Sequence, residues 1–333
     1  MNSIALARSG ERGVDLADVH AAVKRLQGRL LRTPTMHVPM QTPHGVREVV
    51  LKLEHTQLSG TFKARGILNT VLRAAEENRL PEQGIVIASG GNAGIAAAVA
   101  AQVVGVPATV AVPHDAPAAK LRRLCDLKAD VKNGLADHVA CNAWADFFAA
   151  ETGALRLHAY DLPDVVSGAG TLLLEALEQE PDIAAVLVAV GGGGLIAGTA
   201  LAAGGTGVRP VAVEPVGAPT LHSALAAGVP VDVQVDTILS DSLGATRIGK
   251  IAWEVCHATE LQSVLVTDRE IVAARELLWR EYNLLVEGAG ACALAAVTSG
   301  AWHIPDGVLP LVVLCGANVD DPFDGDAQTS SND

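Results

Sequence analysis

The chain has 333 residues, which is enough for one large domain or two ordinary ones with a sizeable buried core. Hydrophobic residues make up 50% of it, aromatic residues only 3%, and 33 residues are glycine. This composition excludes a disordered chain and favours helices packed against sheets. The net charge of -13 has the wrong sign for binding a phosphate backbone, so we expect no nucleic-acid partner.

The cysteines and the apolar segments indicate where the protein works. Five cysteines are scattered without a C-x-x-C spacing, which predicts neither a disulfide framework nor a zinc site and fits a reducing cytoplasm. The segment 1–14 lacks the apolar run of a secretory signal. Because no apolar stretch reaches the roughly 20 unbroken residues of a bilayer span, we expect a cytoplasmic protein without a membrane partner.

The dominant pattern is a short Val/Ile/Ala-rich run, a glycine cluster and then a run with helical spacing, which is the βα unit of a parallel sheet. The predicted elements, in chain order, are strand 85–88, helix 95–104, strand 108–112, strand 185–190, helix 195–203, strand 211–213 and strand 309–314. The predicted fold class is therefore α/β, with ligand-binding loops at the carboxyl ends of the strands. The acidic, polar end of the chain, 321–333, is expected to be disordered.

A lysine segment, S-G-T-F-K-A-R-G at 59–66, is the first candidate for chemistry. Lys63 follows Phe62 in it, and a lysine at the start of a helix is most often solvated. If it is buried instead, desolvation lowers its pKa and frees the amine for Schiff-base chemistry with a carbonyl cofactor. The segment alone leaves both interpretations open.

The loop after strand 85–88 could bind an anion. Its residues Ser89, Gly90, Gly91 and Asn92 would turn backbone N–H groups towards a carboxylate at the start of a helix. The Asn92 amide could also donate to a phenolate or carbonyl oxygen. An ordinary tight turn with a capping Asn explains the same residues about as well.

Four consecutive glycines, Gly191, Gly192, Gly193 and Gly194, follow strand 185–190. At a helix N-terminus they form a phosphate cradle, and we favour this over a purely structural origin. A dinucleotide-binding fold uses similar glycines but fits poorly, because these lie in mid-chain and the acidic candidate Glu214 precedes a proline. A metal-ligand role for Glu214 is also weak, since no second carboxylate follows, and we expect a solvent contact at the strand end.

Two small-residue clusters, E-G-A-G-A from Glu287 and C-G-A-N from Cys315, lie at predicted element ends. Each is weak by itself, because a free cysteine usually behaves as a small buried hydrophobe. These clusters indicate a function only through their order relative to the other motifs.

In that order, the motifs resemble the fold-type II pyridoxal-phosphate enzymes of the serine/threonine dehydratase group, over about residues 32–318. The resemblance implies a tryptophan synthase β-like fold of two open parallel-sheet α/β domains, with the cofactor in the cleft between them. The large domain would comprise 1–70 and 156–320 and the small domain 71–155, with no C-terminal regulatory domain. Family practice makes a homodimer the expected assembly.

The resemblance also implies roles for single residues around pyridoxal 5'-phosphate. Lys63 would hold the cofactor as a Schiff base, Phe62 would stack on its ring and Asn92 would contact the ring hydroxyl. Cys315 would face the pyridine nitrogen and Glu287 would lie near the ring. The four glycines would bind the phosphate, and the S-G-G-N loop would hold the carboxylate of a small amino-acid substrate.

The implied reaction is β-elimination from a 3-hydroxy amino acid such as L-threonine or L-serine, giving a 2-oxo acid and ammonia, with Lys63 also serving as the base at Cα. Racemisation is disfavoured, because serine racemases have a second serine where this chain has Gly90. No metal is expected, since a glutamate of the relatives' cation site matches Glu214 but their aspartate aligns with Thr220.

Three rival hypotheses stay open. They are racemisation or elimination from another substrate such as hydroxyaspartate, a nucleotide-dependent oxidoreductase that uses the four glycines, and a binding module without activity. The segment 240–245 departs from the relatives' pattern, which bears on substrate choice.

Overall fold

The strands of the chain assemble into two sheets. The computed structural model describes residues 13–319 except 115 and 117, so the predicted disordered tail at 321–333 and most of the segment 1–14 lie outside the described residues. In chain order, the strands are β1 (Thr35–Thr42), β2 (Gly45–Lys52), β3 (Ile85–Ala88), β4 (Ala108–Pro113), β5 (Asp130–Leu135), β6 (Leu155–Leu157), β7 (Ile183–Ala189), β8 (Arg209–Pro215), β9 (Gln262–Val266) and β10 (Leu309–Val313). One sheet has the order β1-β2-β10-β7-β8-β9 and the other the order β5-β4-β3-β6.

Helices connect and cover the strands. They are α1 (Leu16–Leu26), α2 (Lys63–Glu76), α3 (Asn92–Val104), α4 (Ala118–Asp126), α5 (His138–Thr152), α6 (Pro163–Gln179), α7 (Gly194–Ala203), α8 (Thr220–Ala227), α9 (Ser240–Leu243), α10 (Lys250–His257), α11 (Asp268–Tyr282) and α12 (Gly288–Ser299). The alanine- and glycine-rich helices α7 and α12 are buried almost all round, as expected of helices without a polar face. Within the described residues, none of the helices combines the length and apolarity needed to cross a membrane.

The predicted elements are all present, with ends shifted by at most three residues, and the α/β fold class is confirmed. One strand at the edge of the six-stranded sheet departs from the parallel pairing of the others. Strand β1 pairs antiparallel with β2, from Thr35 opposite Lys52 to Thr42 opposite Gly45. Only two residues connect these strands, and so short a connection permits only an antiparallel hairpin.

The parallel pairing directs several strand ends towards one region. β7 lies between β10 and β8, and β3 lies between β4 and β6, with every one of these pairs parallel. The loops after β3, β7 and β10 contain three of the predicted motifs: the S-G-G-N loop, the four glycines and C-G-A-N. Carboxyl ends of parallel strands are where open α/β sheets bind ligands, and residues of all three loops line one cavity although β3 belongs to the second sheet.

Candidate active site

Lys63 is the first residue of α2 and is held beside the loop after β10. The backbone N–H of Phe62 donates to the Cys315 carbonyl at 3.0 Å, and the N–H of Ala317 donates to the Gly60 carbonyl at 2.9 Å. The Nζ atom of Lys63 donates to the Ala159 carbonyl at 2.9 Å and lies 5.0 Å from the centre of the Phe62 ring.

The charge state of Lys63 is set by its surroundings. Burial lowers the pKa of its amine to about 8, although the nearby Cys315 and Glu287 act in the opposite direction. An appreciable fraction of the amine is therefore uncharged near neutral pH, which is the form that attacks carbonyl carbons and accepts protons.

The four glycines form the turn from β7 into α7. Gly193 has a φ of 91°, a left-handed conformation that favours glycine. A Cβ on Gly192 would lie 2.4 Å from ring carbons of Tyr160, and one on Gly194 would lie 2.8 Å from the Tyr160 carbonyl oxygen. The N–H groups of residues 191–194 find no acceptor among the described residues. Such a row of unpaired N–H groups at a helix N-terminus is suited to an anion.

Asn92 is the first residue of α3 and links two other predicted motifs. Its Nδ2 donates to Glu287 Oε1 at 2.6 Å, and its Oδ1 accepts from Asn318 Nδ2 at 2.7 Å. These two bonds fix the orientation of the Asn92 amide. Burial raises the pKa of Glu287 to about 7, so this carboxyl group is partly protonated near neutral pH.

Cys315 lies two residues beyond the end of β10. Its Sγ is 3.3 Å from the Ala289 carbonyl oxygen, to which the thiol donates. Burial raises the pKa of this thiol, and the negative charge of Glu287 raises it further. Cys315 is therefore a neutral thiol in the physiological pH range.

One cavity of about 420 Å3 joins these groups. The predicted residues in its wall are Phe62, Lys63, Ser89, Gly91, Asn92, Gly191, Gly192, Gly193, Gly194, Glu287 and Cys315. Gly90 is the exception among the predicted site residues, because it is buried and a Cβ there would meet Val112 at 3.0 Å. The segment 240–246 also lines the cavity.

A comparison with protein families decides which class of enzyme this is. A family model described as "Pyridoxal-phosphate dependent enzyme" matches residues 26–316. The chain belongs to this family.

Similar proteins support the same assignment. An L-threonine ammonia-lyase of Thermotoga maritima is 32% identical over 311 residues, which cover 92% of this chain and 76% of that protein. A serine racemase of Arabidopsis thaliana is 32% identical over 312 residues, which cover 92% of this chain and 93% of that protein. The structure of maize serine racemase matches with a TM-score of 0.85 at 29% identity, covering 96% of this chain and 97% of that chain. The predicted fold-type II enzyme with pyridoxal phosphate as cofactor is confirmed.

The residues of this pyridoxal-phosphate-dependent enzyme fit the cofactor. The unpaired N–H groups at 191–194 suit its phosphate, and the partly uncharged amine of Lys63 suits its aldehyde. Phe62 offers an aromatic ring and Cys315 a neutral thiol in the same cavity. The roles of the single residues stay predictions at this point.

Sequence reasoning missed several residues of the cavity wall in this enzyme. His158 and Tyr160 follow β6, and their rings meet edge-on with centres 4.6 Å apart. Nδ1 of His158 accepts from the backbone N–H of Asp161 at 2.9 Å and of Tyr160 at 3.3 Å. Burial lowers the pKa of this imidazole, so it is neutral and carries its hydrogen on Nε2.

Glu214 does not make the solvent contact predicted for it. It is 0% exposed, and its carboxylate accepts from the backbone N–H groups of Leu221 and His222, both at 2.8 Å. The hydroxyl of Thr220 lies 3.1 Å from this carboxylate and 2.7 Å from the Gly191 carbonyl oxygen. Glu214 therefore caps α8 and supports the first glycine, because α8 turns back over the end of β8.

Proposed function

We propose that the protein catalyses pyridoxal-phosphate-dependent β-elimination from a 3-hydroxy amino acid, such as L-threonine or L-serine, to a 2-oxo acid and ammonia. The cofactor supplies an electron sink that makes the Cα proton of a bound amino acid acidic. The proposal rests on one observation. A single cavity contains a partly uncharged lysine amine and two separate rows of unpaired backbone N–H groups.

Lys63 is the proposed base. With a pKa of about 8, its amine can accept a proton at neutral pH and return it in a later step. The hydrogen bond to the Ala159 carbonyl holds Nζ in the cavity. A base that is fixed before the substrate arrives needs no reorganisation during the reaction.

The loop at 89–92 is the proposed site for the substrate carboxylate. The N–H groups of Gly91 and Asn92, both in the cavity wall, find no acceptor among the described residues, and they lie at the N-terminus of α3. A carboxylate is stabilised there by several N–H donors and by the helix dipole. Lys63 would then lie beside the Cα of the bound substrate.

Two features favour elimination over racemisation, which needs a second acid–base group on the opposite side of Cα. Residue 90 has no side chain, and a Cβ at that position would meet Val112 and Ala116. His158 lines the cavity, but its Nδ1 already accepts two backbone N–H bonds and is not available as a base. The neutral thiol of Cys315 provides no carboxylate to hold a proton beside the cofactor ring, which favours elimination over transamination.

The test is a product assay on the holoenzyme. L-serine and L-threonine are supplied separately, and 2-oxo acid, ammonia and the D-enantiomer are quantified. The proposal predicts 2-oxo acid and ammonia in equal amounts, loss of turnover by orders of magnitude in Lys63→Ala, and full turnover in the control Lys24→Ala, an exposed lysine of α1. Formation of D-amino acid without ammonia would refute elimination.

Other expectations from the sequence are part of this proposal. We propose a large domain of 1–70 and 156–320, a small domain of 71–155, a cytoplasmic homodimer and no required metal. Within the described residues, no group of three or more His, Cys, Asp or Glu side chains is arranged to hold a metal ion.

A further inference from the structure

One wall of the cavity is formed by β6 and the start of α5. The side chains of this wall are rich in hydrogen-bond donors. Arg156 belongs to β6, where it is opposite Val86 of β3, and its side chain is 24% exposed. Asn142 and His138 of α5 line the cavity beside it. None of these residues takes part in the roles proposed above, so their presence at the site needs its own explanation.

The guanidinium of Arg156 is held in a fixed position. Its Nε donates to Asp146 Oδ1 at 2.7 Å, its Nη2 donates to Asn142 Oδ1 at 2.8 Å, and its Nη1 donates to the Leu157 carbonyl. Asn142 Nδ2 donates to the His138 carbonyl at 2.9 Å, which fixes the orientation of the amide that receives Arg156.

This arrangement leaves unused donor capacity on Arg156, which lines the cavity. A guanidinium has five N–H bonds, and two of those of Arg156 have no acceptor among the described residues. Asp146 is 66% exposed and does not line the cavity, whereas Arg156 and Asn142 do. The neutralising carboxylate thus lies towards solvent, where a surface ion pair is weak.

His158 adds a second donor to the same wall. It lies two residues after Arg156, just beyond the end of β6, and both residues line the cavity. Because its Nδ1 accepts backbone N–H bonds, the hydrogen lies on Nε2, which has no acceptor among the described residues. Arg156 and His158 therefore present donors and no acceptor.

The acids that line the cavity are bound elsewhere. Asp241 forms an ion pair with Lys120 of α4, and Glu287 accepts from Asn92. Neither contacts Arg156 or any other group of the β6 wall. Among residues 13–319 except 115 and 117, no acidic side chain that lines the cavity therefore pairs with the donors of this wall.

We propose that the substrate carries a second carboxylate on Cβ and that Arg156 and His158 bind it. The substrate class is then the 3-hydroxy dicarboxylic amino acids, of which 3-hydroxyaspartate is the smallest. This inference rests on the proposed function for the reaction itself. The reaction balances without an oxidant. Breaking the Cα–H and Cβ–O bonds releases one water molecule, and the later hydrolysis consumes one. The products are a 2-oxo dicarboxylate and ammonia.

A binding experiment tests the subsite without relying on turnover. The holoenzyme is titrated calorimetrically with succinate, which has the same carbon chain and both carboxylates, and with butyrate, which lacks the second one. We expect succinate to bind about 10- to 100-fold more tightly, the range of a charge-assisted hydrogen bond, and Arg156→Met to abolish this preference. Equal affinities in the unaltered protein would overturn the proposal.

Kinetics with matched variants provide the second readout. Arg156→Met should raise KM for 3-hydroxyaspartate about 10- to 100-fold and change kcat/KM for L-serine less than about 3-fold. Arg156→Lys should recover part of the loss, because an ammonium keeps the charge but not the paired donors. The control Arg280→Met removes an arginine of α11 that is 71% exposed, and it should leave KM and kcat/KM unchanged for both substrates. An equal loss on both substrates would mean a structural role and overturn the proposal.

The outcomes separate this proposal from the proposed function. A succinate preference that depends on Arg156, in a protein that eliminates no hydroxy amino acid, supports the subsite and refutes the reaction. Rapid elimination from L-serine without any succinate preference supports the reaction and overturns the subsite.

Discussion

The amine of Lys63 should titrate far below an ordinary lysine. Burial lowers its pKa from 10.5 to about 8. At pH 7, a group with a pKa of about 8 is about one-tenth uncharged, whereas a group at 10.5 is uncharged in about one molecule in three thousand. The reactive form of Lys63 is therefore enriched about 300-fold by the fold alone.

Competitive acylation measures this pKa directly. The apoprotein is treated with trace acetic anhydride between pH 5.5 and 10.5, with N-α-acetyl-lysine as reference, and the peptide that contains Lys63 is quantified by mass spectrometry. Labelling of Lys63 should rise tenfold per pH unit at low pH, reach half of its maximum near pH 8 and level off above about pH 9. A Lys63 curve that coincides with the reference would refute the argument from burial.

Three further results are expected. Gly192→Ala places a Cβ 2.4 Å from the Tyr160 ring, so the Kd for pyridoxal phosphate, measured by absorbance titration, should rise about 10- to 100-fold. Arg65→Met leaves Glu54 as an unpaired buried charge, which should lower the free energy of unfolding in urea by about 3–5 kcal/mol. The pKa of Glu287 is raised from 4.5 to about 7, so between these pH values the folded state binds more protons than the unfolded state. Protonation of Glu287 therefore stabilises the folded state, and the free energy of unfolding falls as the pH rises from 4.5 to about 7. Calorimetry should therefore show a smaller fall in Tm from pH 5 to pH 8 for Glu287→Gln than for the unaltered protein.

Matched controls separate these effects from general damage. Gly204 lies at the other end of α7, where its φ is -56° and the nearest atom to an added Cβ is 3.2 Å away. Gly204→Ala should therefore change the Kd for pyridoxal phosphate less than about 2-fold. Arg280→Met removes an exposed ion pair and should change the free energy of unfolding by less than about 1 kcal/mol. If either control matches its test variant, or if Glu287→Gln and the unaltered protein share one pH profile, the corresponding argument fails.

Much of the site could be predicted because parallel strands deliver their loops to one edge. The strands before Ser89, before the four glycines and before Cys315 are short apolar runs, and periodicity alone identifies them. Once these strands pair in parallel, Lys63 and Asn92 reach the same cavity. Local sequence located these three loops, because each directly follows its strand, whereas the roles of their residues came from the order of the motifs and the family resemblance.

The rest depended on contacts between distant residues. Strand β6 has only three residues, too few for a recognisable pattern, and its place is set by pairing Ile87 with Leu157. His158 and Arg156 enter the cavity only through that pairing. Glu214 was misjudged for a similar reason, since its burial results from α8 returning over β8, which no local pattern encodes.

The central claim is that Lys63 carries the cofactor in this cavity, and one measurement tests it most directly. The holoenzyme is reduced with borohydride and digested, and the peptide that carries the phosphopyridoxyl group is identified by mass spectrometry. The account predicts a single modified residue, Lys63, and loss of the visible absorbance band on reduction. Modification of another lysine, with Lys63 left unaltered, would contradict it.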